Sequence, residues 1–317
     1  MSELRPQDAT PSADKIVVPS LGPSQLELDM QRAREADRNA HLGGRSFYFF
    51  DFDDNVAFLA TPLILFHRET GTELAISSGQ FATEHANIGK LGPYRDHDIR
   101  WDDQTGTFRH FRDHDLSMLE KLGLKTQVFL QDVAEALGKP DFQWKGPSWS
   151  CFYHATFNQR PVSVITARGH SPETLVAGVD LFVKAGHLPE RPNFLSIYPV
   201  SNPRVRKELG DADFRHSTAQ LKQAAIRASV LRAVEKYGDS PHHRFGMSDD
   251  DPKNIQLISE EMVRLKIEFP KMKFFMIETH QGDFIKHEIT THSVVSSRLT
   301  GPEVQQYSLF TDLSPVT

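Results

Sequence analysis

Two short runs of carboxylates are the first sign of chemistry in this chain. Asp51, Asp53 and Asp54 follow an aromatic run, and Asp249, Asp250 and Asp251 follow a second apolar run. Like charges this close repel unless a cation or a proton is shared among them. Hard carboxylate oxygens suit Mg²⁺, which keeps several waters and needs few protein ligands. Each cluster also has a plain explanation, since Asp and Asn are common turn residues and Asp251 before Pro252 is a ready helix N-cap. A third element is Ile165-Thr166-Ala167-Arg168-Gly169-His170. A hydroxyl at Thr166 and the backbone N–H groups after it, Ala167 among them, make an anion site suited to phosphate, and His170 is near enough to touch a ligand there.

These residues need a scaffold that brings them to one place. The runs Arg45–Phe50, Pro161–Ile165, Phe194–Val200, His243–Met247 and Lys273–Ile277 read as buried strands,. Helical patterns over Ser171–Ala185, Thr218–Tyr237 and Pro252–Glu268 separate the later ones, the first opening with Ser171 as N-cap, Pro172 and Glu173,. Alternating strands and helices predict an α/β fold with a doubly wound parallel sheet. In such sheets ligands bind beyond the carboxyl ends of the strands, where Asp51, Thr166 and Asp249–Asp251 fall.

The alternation breaks between Asn55 and about Trp149. Two hairpins are expected there, one from Leu63–Arg68 to Glu73–Ser77 across a Glu69-Thr-Gly-Thr turn, the other from Ile99–Trp101 to Thr107–Phe111,. A helix over about Leu116–Leu137 closes the segment. The expected organisation is a mobile or peripheral N-terminal arm over 1–43, a catalytic core over 44–56 and 148–290, a cap or lid insertion over 57–147, and a tail over 291–317.

The order Asp51-x-Asp53, Ile165-Thr166, a lysine, then an Asp pair after the fourth strand resembles the haloacid dehalogenase (HAD) superfamily of phosphohydrolases. The resemblance covers residues 45–56 and roughly 148–280. The stretch from Ile165–Gly169 to Ser248–Asn254 is more narrowly similar to bacterial HAD proteins grouped near nucleic-acid-repair phosphatases. The resemblance implies a HAD-like Rossmannoid core and a Mg²⁺-dependent phosphatase acting on a phosphomonoester. It implies Asp51 as nucleophile, Asp53 as general acid and then base, and Thr166 as a phosphoryl-binding residue, with Ala167 beside it. Mg²⁺ would be held by Asp51, the backbone carbonyl of Asp53, and Asp249 or Asp250. The site lysine is read as Lys222, with Lys207 and Lys236 as alternatives. The family often has Thr or Val where this chain has Asn55, which puts the local turn geometry in question.

Composition bounds the alternatives. The chain has 317 residues, a formal charge of −6, one cysteine and 38% apolar residues, as expected of a folded cytoplasmic protein without a disulfide framework. No apolar run approaches the roughly 20 residues of a membrane span. The net acidity argues against a general polyanion binder. Arg95, Arg100, Arg109 and Arg112 are interspersed with Asp96, Asp98, Asp102, Asp103 and Asp113, which disfavours trimming of nucleic-acid ends. The favoured partner is a small phosphorylated molecule, and the runner-up is a non-catalytic phosphate-binding or regulatory protein on the same fold. His97, His110, His114, His280, His287 and His292 lack cysteine partners or an HExxH helix and read as solvated, and Cys151 reads as core,. Nothing in the sequence fixes an oligomeric state.

Overall fold

Strand β1 (Ser46–Phe50) is buried along its whole length because it lies in the middle of a sheet with both faces covered. The computed structural model describes residues 33–102, 104–116, 126–249, 252–280, 283–290 and 294–299. The other strands are β2 (Leu63–His67), β3 (Glu73–Ile76), β4 (His97–Asp98), β5 (Pro161–Thr166), β6 (Asn193–Pro199), β7 (Arg244–Asp249), β8 (Lys273–His280), β9 (Asp283–Ile289) and β10 (Val294–Leu299). The main sheet has the order β10-β9-β8-β7-β1-β5-β6. Its five strands β8, β7, β1, β5 and β6 run parallel, and β9 and β10 extend it as an antiparallel meander.

The chain therefore winds from β1 out through β5 to β6, then returns to the other side of β1 for β7 and β8. The winding reverses between β1 and β7, the place where doubly wound sheets open a crevice at their carboxyl edge. Phe50 pairs with Ser248 and with Val164, so Asp51, Asp249 and Thr166 leave three adjacent strands at nearly the same level.

Alternation along β1 explains its aromatic run. Tyr48 and Phe50 face a core with Phe152, Val164, Val179 and Phe182, covered by the helices Trp149–Phe157 and Pro172–Lys184. Phe47 and Phe49 face the opposite core with Leu221, Ile226, Phe245 and Met262, covered by the helices Thr218–Tyr237 and Pro252–Glu268. Such large side chains, each worth roughly 1.5–3 kcal/mol on burial, anchor the strand whose end carries Asp51. Cys151 is buried in the first core.

The segment between β1 and β5 leaves and returns at one point. Phe58 N–H donates to the Trp144 carbonyl at 2.7 Å, and Ala57 bridges Lys145 in antiparallel fashion. Gly146 is needed there, because a Cβ would sit 2.3 Å from the Asn55 carbonyl oxygen. Inside this insertion β2 and β3 form the expected hairpin, and β4 pairs with the other edge of β2.

The second expected hairpin is absent. Asp102 Oδ1 accepts from the backbone N–H groups of Gln104 and Thr105 and from the Thr105 hydroxyl, so the chain closes a local turn. It then enters a 3₁₀ turn at Arg109–Phe111 instead of a strand. Of the helix expected over 116–137, the described part is Val128–Leu137, and 117–125 lies outside the described residues.

The chain divides into two units, 1–34 and 35–317, and residues 1–32 lie outside the described residues. Residues 35–43, counted with the arm in the sequence, pack on the core. Asp37 pairs with Arg160 at 3.0 Å and accepts from the Ser46 N–H at 3.1 Å, while Asn39 donates to the His242 carbonyl at 3.0 Å. Strand β10 comes from the stretch read as a tail, where it is held by its register on β9. Among the described residues no helix is long and apolar enough to cross a membrane.

Candidate active site

Asp51 is the first residue beyond β1, and its backbone N–H donates to the Ser248 carbonyl at 3.0 Å, continuing the ladder to β7. Its Oδ1 accepts from the Phe52 N–H at 2.7 Å, and its Oδ2 accepts from Lys222 Nζ at 2.6 Å. The same ammonium donates to Asp249 Oδ2 at 2.7 Å. Lys222 comes from the helix Thr218–Tyr237, whose start is set by a capping box between Ser217 and Gln220,. Its side chain is 1% exposed. Burial alone disfavours the ammonium, but Asp249 and Asp51 outweigh it and hold the group charged, well above the ordinary lysine range,. Lys207 and Lys236 are exposed.

Asp249 is oriented from a second side. Asn254, in the helix Pro252–Glu268, donates its Nδ2 to Asp249 Oδ1 at 3.1 Å, and the Thr279 hydroxyl donates to the Asp249 carbonyl at 3.3 Å. Asp250 and Asp251 lie outside the described residues.

Asp53 belongs to a neighbouring group. Arg168 grips it with a fork, Nε donating to Oδ1 and Oδ2 at 3.1 and 2.8 Å and Nη2 to Oδ1 at 2.6 Å. The Thr166 hydroxyl donates to Asp53 Oδ2 at 3.3 Å. Arg168 is completely buried, its Cζ lying 4.8 Å from the Phe111 ring centroid and 4.7 Å from that of Phe129, and its Nη1 is buried without a partner. Ala167 is exposed at the strand end. Next along, Gly169 N–H donates to the Phe111 carbonyl at 2.8 Å, and Ser171 N–H donates to Asp113 Oδ2 at 2.9 Å. The insertion is thus fastened to the loop that follows β5.

The loop 51–57 folds back on itself, the N–H groups of Val56 and Ala57 both donating to the Phe52 carbonyl at 2.9 and 3.0 Å. Asp54 takes the left-handed conformation, φ 57°, which Asp tolerates better than most residues. Its carboxyl accepts from Ser78 Oγ at 2.9 Å. Burial and then the Asp53 charge raise its pKa, against the Ser78 bond and Arg168.

Asn55, a departure from the HAD pattern, is a fully buried bracket. Its Nδ2 donates to the carbonyls of Asp51 and Ser248 at 3.2 and 3.0 Å and to Ser248 Oγ at 2.8 Å. Its Oδ1 accepts from Ser148 Oγ at 2.7 Å and Thr279 Oγ1 at 3.1 Å. The geometry in question at this position is therefore a tight one, in which one amide ties the ends of β1, β7 and β8 to the start of the helix Trp149–Phe157.

His170 is completely buried with both ring nitrogens unpartnered, 5.3 Å from the Phe129 ring. Burial first, then Arg168, His114 and Arg112, push its pKa down to about 2, so the ring is neutral. Contrary to the solvated reading, His97, His110 and His114 each bury a ring nitrogen without a partner. His287 instead contacts Glu278 at 3.3 Å, and His292 lies outside the described residues.

Among the described residues no three His, Cys, Asp or Glu side chains form a metal-binding group. Mg²⁺ asks for less, one or two carboxylates completed by water and substrate oxygens. The carboxylates of Asp51 and Asp249, which share the Lys222 ammonium at the switch point, are the residues that could serve as such ligands.

The arrangement can thus offer a carboxylate beside a fixed cation, a second carboxyl within the same loop set by a buried guanidinium, and a hydroxyl at the end of β5. Arg168, Asn55 and Asn254 went unassigned in the sequence reading. The one signal for them was their place inside the Thr166–His170, Asp51–Asn55 and Ser248–Asn254 runs. Comparison with models of known families, with curated proteins and with solved structures gave no match.

Proposed function

We propose that the protein is a Mg²⁺-dependent phosphohydrolase that cleaves a phosphomonoester through a phospho-aspartyl intermediate at Asp51. The observation that carries this reading is the buried Lys222 ammonium bonded to both Asp51 and Asp249 at the switch point of the sheet. A carboxylate is a poor nucleophile toward a phosphate dianion because both are negative. Lys222 offsets that repulsion, and Asp51 is held with one oxygen on Phe52 N–H and one on Lys222 Nζ.

Asp51 and the Asp53 backbone carbonyl, with Asp249 or Asp250, would hold Mg²⁺, which neutralises phosphoryl charge when bound. In the first step an Asp51 oxygen bonds to phosphorus while the bond to the leaving oxygen breaks, and Asp53, which must enter this step protonated, supplies that oxygen with its proton. In the second step Asp53 takes a proton from water as the water oxygen attacks phosphorus, returning Asp51 as a carboxylate and releasing phosphate. Thr166, at the end of β5 beside Asp53, is the hydroxyl that would turn to a phosphoryl oxygen.

Asp51→Asn keeps the shape and removes the nucleophile. Phosphate release from p-nitrophenyl phosphate in the presence of Mg²⁺ should fall by roughly 10⁴-fold or more, with the melting transition retained. Undiminished turnover in that variant would sink the assignment.

A further inference from the structure

Arg168 does not hold Asp53 unaided. While its fork grips that carboxylate, Nη2 also donates to Thr61 Oγ1 at 2.7 Å. Thr61 is buried, and as its hydroxyl oxygen accepts from the guanidinium, its own proton goes to Asp132 Oδ2. Thr61 precedes β2 and Asp132 lies on the helix Val128–Leu137, so both belong to the insertion. The same helix supplies Phe129, one of the two rings against Arg168, and the 3₁₀ turn supplies the other, Phe111.

An arginine side chain turns about several rotatable bonds, and a fork that met only Asp53 could swing with it. The Thr61 contact and the two rings leave it one orientation. Proton transfer needs heavy atoms within about 2.6–3.2 Å, so the setting of Arg168 decides whether Asp53 reaches the leaving oxygen.

From this geometry we infer that Thr61 and Asp132 are positioning residues for Asp53, acting through Arg168, so that the insertion is a working part of the proton-transfer machinery. The inference rests on the phosphohydrolase reading and names what the insertion contributes to it. Neither residue touches Asp51 in the hydrogen bonds described.

Leaving-group dependence tests it. An alkoxide must be protonated as it departs, whereas p-nitrophenolate leaves readily without help, so misplacing Asp53 penalises an alkyl phosphate selectively. Thr61→Val removes the hydroxyl at nearly constant shape, and Thr61→Ser retains it. For Thr61→Val, kcat/KM on β-glycerophosphate should fall about tenfold, part of the roughly 10²–10⁴ available from general acid catalysis, and by less than about threefold on p-nitrophenyl phosphate. Thr61→Ser should restore both. Asp132→Asn carries the same test with a smaller change, and serves if the valine variant fails to fold. Equal losses on both substrates, or no loss on either, would overturn the inference while leaving the hydrolase reading in place. Turnover that Asp51→Asn does not diminish would instead remove the hydrolase reading itself.

Discussion

The Lys222 ammonium has left water for two carboxylates, and that exchange fixes the polarity of the site. Taking a charge into the interior costs several kcal/mol unless a partner is well placed, and here Asp51 and Asp249 stand 2.6 and 2.7 Å away. Removing the cation leaves two buried carboxylates facing each other. Lys222→Met should therefore lose about 3–5 kcal/mol of stability, read from urea denaturation at neutral pH. A variant as stable as the parent would show that the ion pairs contribute nothing beyond geometry. The Asp53–Arg168 pair is different in kind, because its fork fixes direction as well as charge,.

Elements come together through side-chain amides as much as through strand ladders. Asn55 joins the ends of β1, β7 and β8 to the helix Trp149–Phe157 without exposure to water. Asn55→Ala would leave the hydroxyls of Ser148, Thr279 and Ser248 short of a partner, at about 1–3 kcal/mol for each group that stays unsatisfied. The expected outcome is a loss of several kcal/mol with activity lost alongside it, measured by thermal melts and phosphate release. Retention of both would mean that the network rearranges around the gap. The joined ends of the insertion at Ala57 and Lys145 fit the same pattern, an added segment tied at its root and fastened again at Gly169 and Ser171.

Across the whole molecule, stability should depend on pH through His170. Its folded pKa is depressed to about 2 from an ordinary 6.5, so the unfolded chain binds a proton over a range where the folded chain does not. Stability from this group is complete above about pH 6.5 and is lost as pH falls below it, by up to about 1.4 kcal/mol per pH unit. His170→Phe, which keeps an aromatic ring against Phe129, should flatten the acid limb of a stability–pH curve measured by urea denaturation. An unchanged slope would place the dependence elsewhere.

Much of this frame was legible in the chain. Apolar runs and helix caps located the five parallel strands and the helices Thr218–Tyr237 and Pro252–Glu268, since burial on both faces leaves an uninterrupted apolar signature. Lys222 was named, beside Lys207 and Lys236, only through the resemblance, which puts a cation at the start of the helix before the fourth strand. What stayed hidden was decided by distant partners. Arg168 carries no sign of its role until Thr61, Phe111 and Phe129 enclose it, and those residues are distant from it in the chain. The turn at Asp102 defeated a hairpin pattern through side-chain bonds that an alternation count does not register.

The central claim is that Asp51 forms a covalent bond to phosphorus, and an acyl phosphate can be trapped. The purified protein, mixed with p-nitrophenyl phosphate and Mg²⁺ and quenched into borohydride, should yield homoserine at position 51 by peptide mass spectrometry, dependent on substrate and absent in Asp51→Asn. Continued turnover with Asp51 unmodified under conditions that trap a chemically prepared acyl phosphate, or reduction at another carboxylate, would contradict the account.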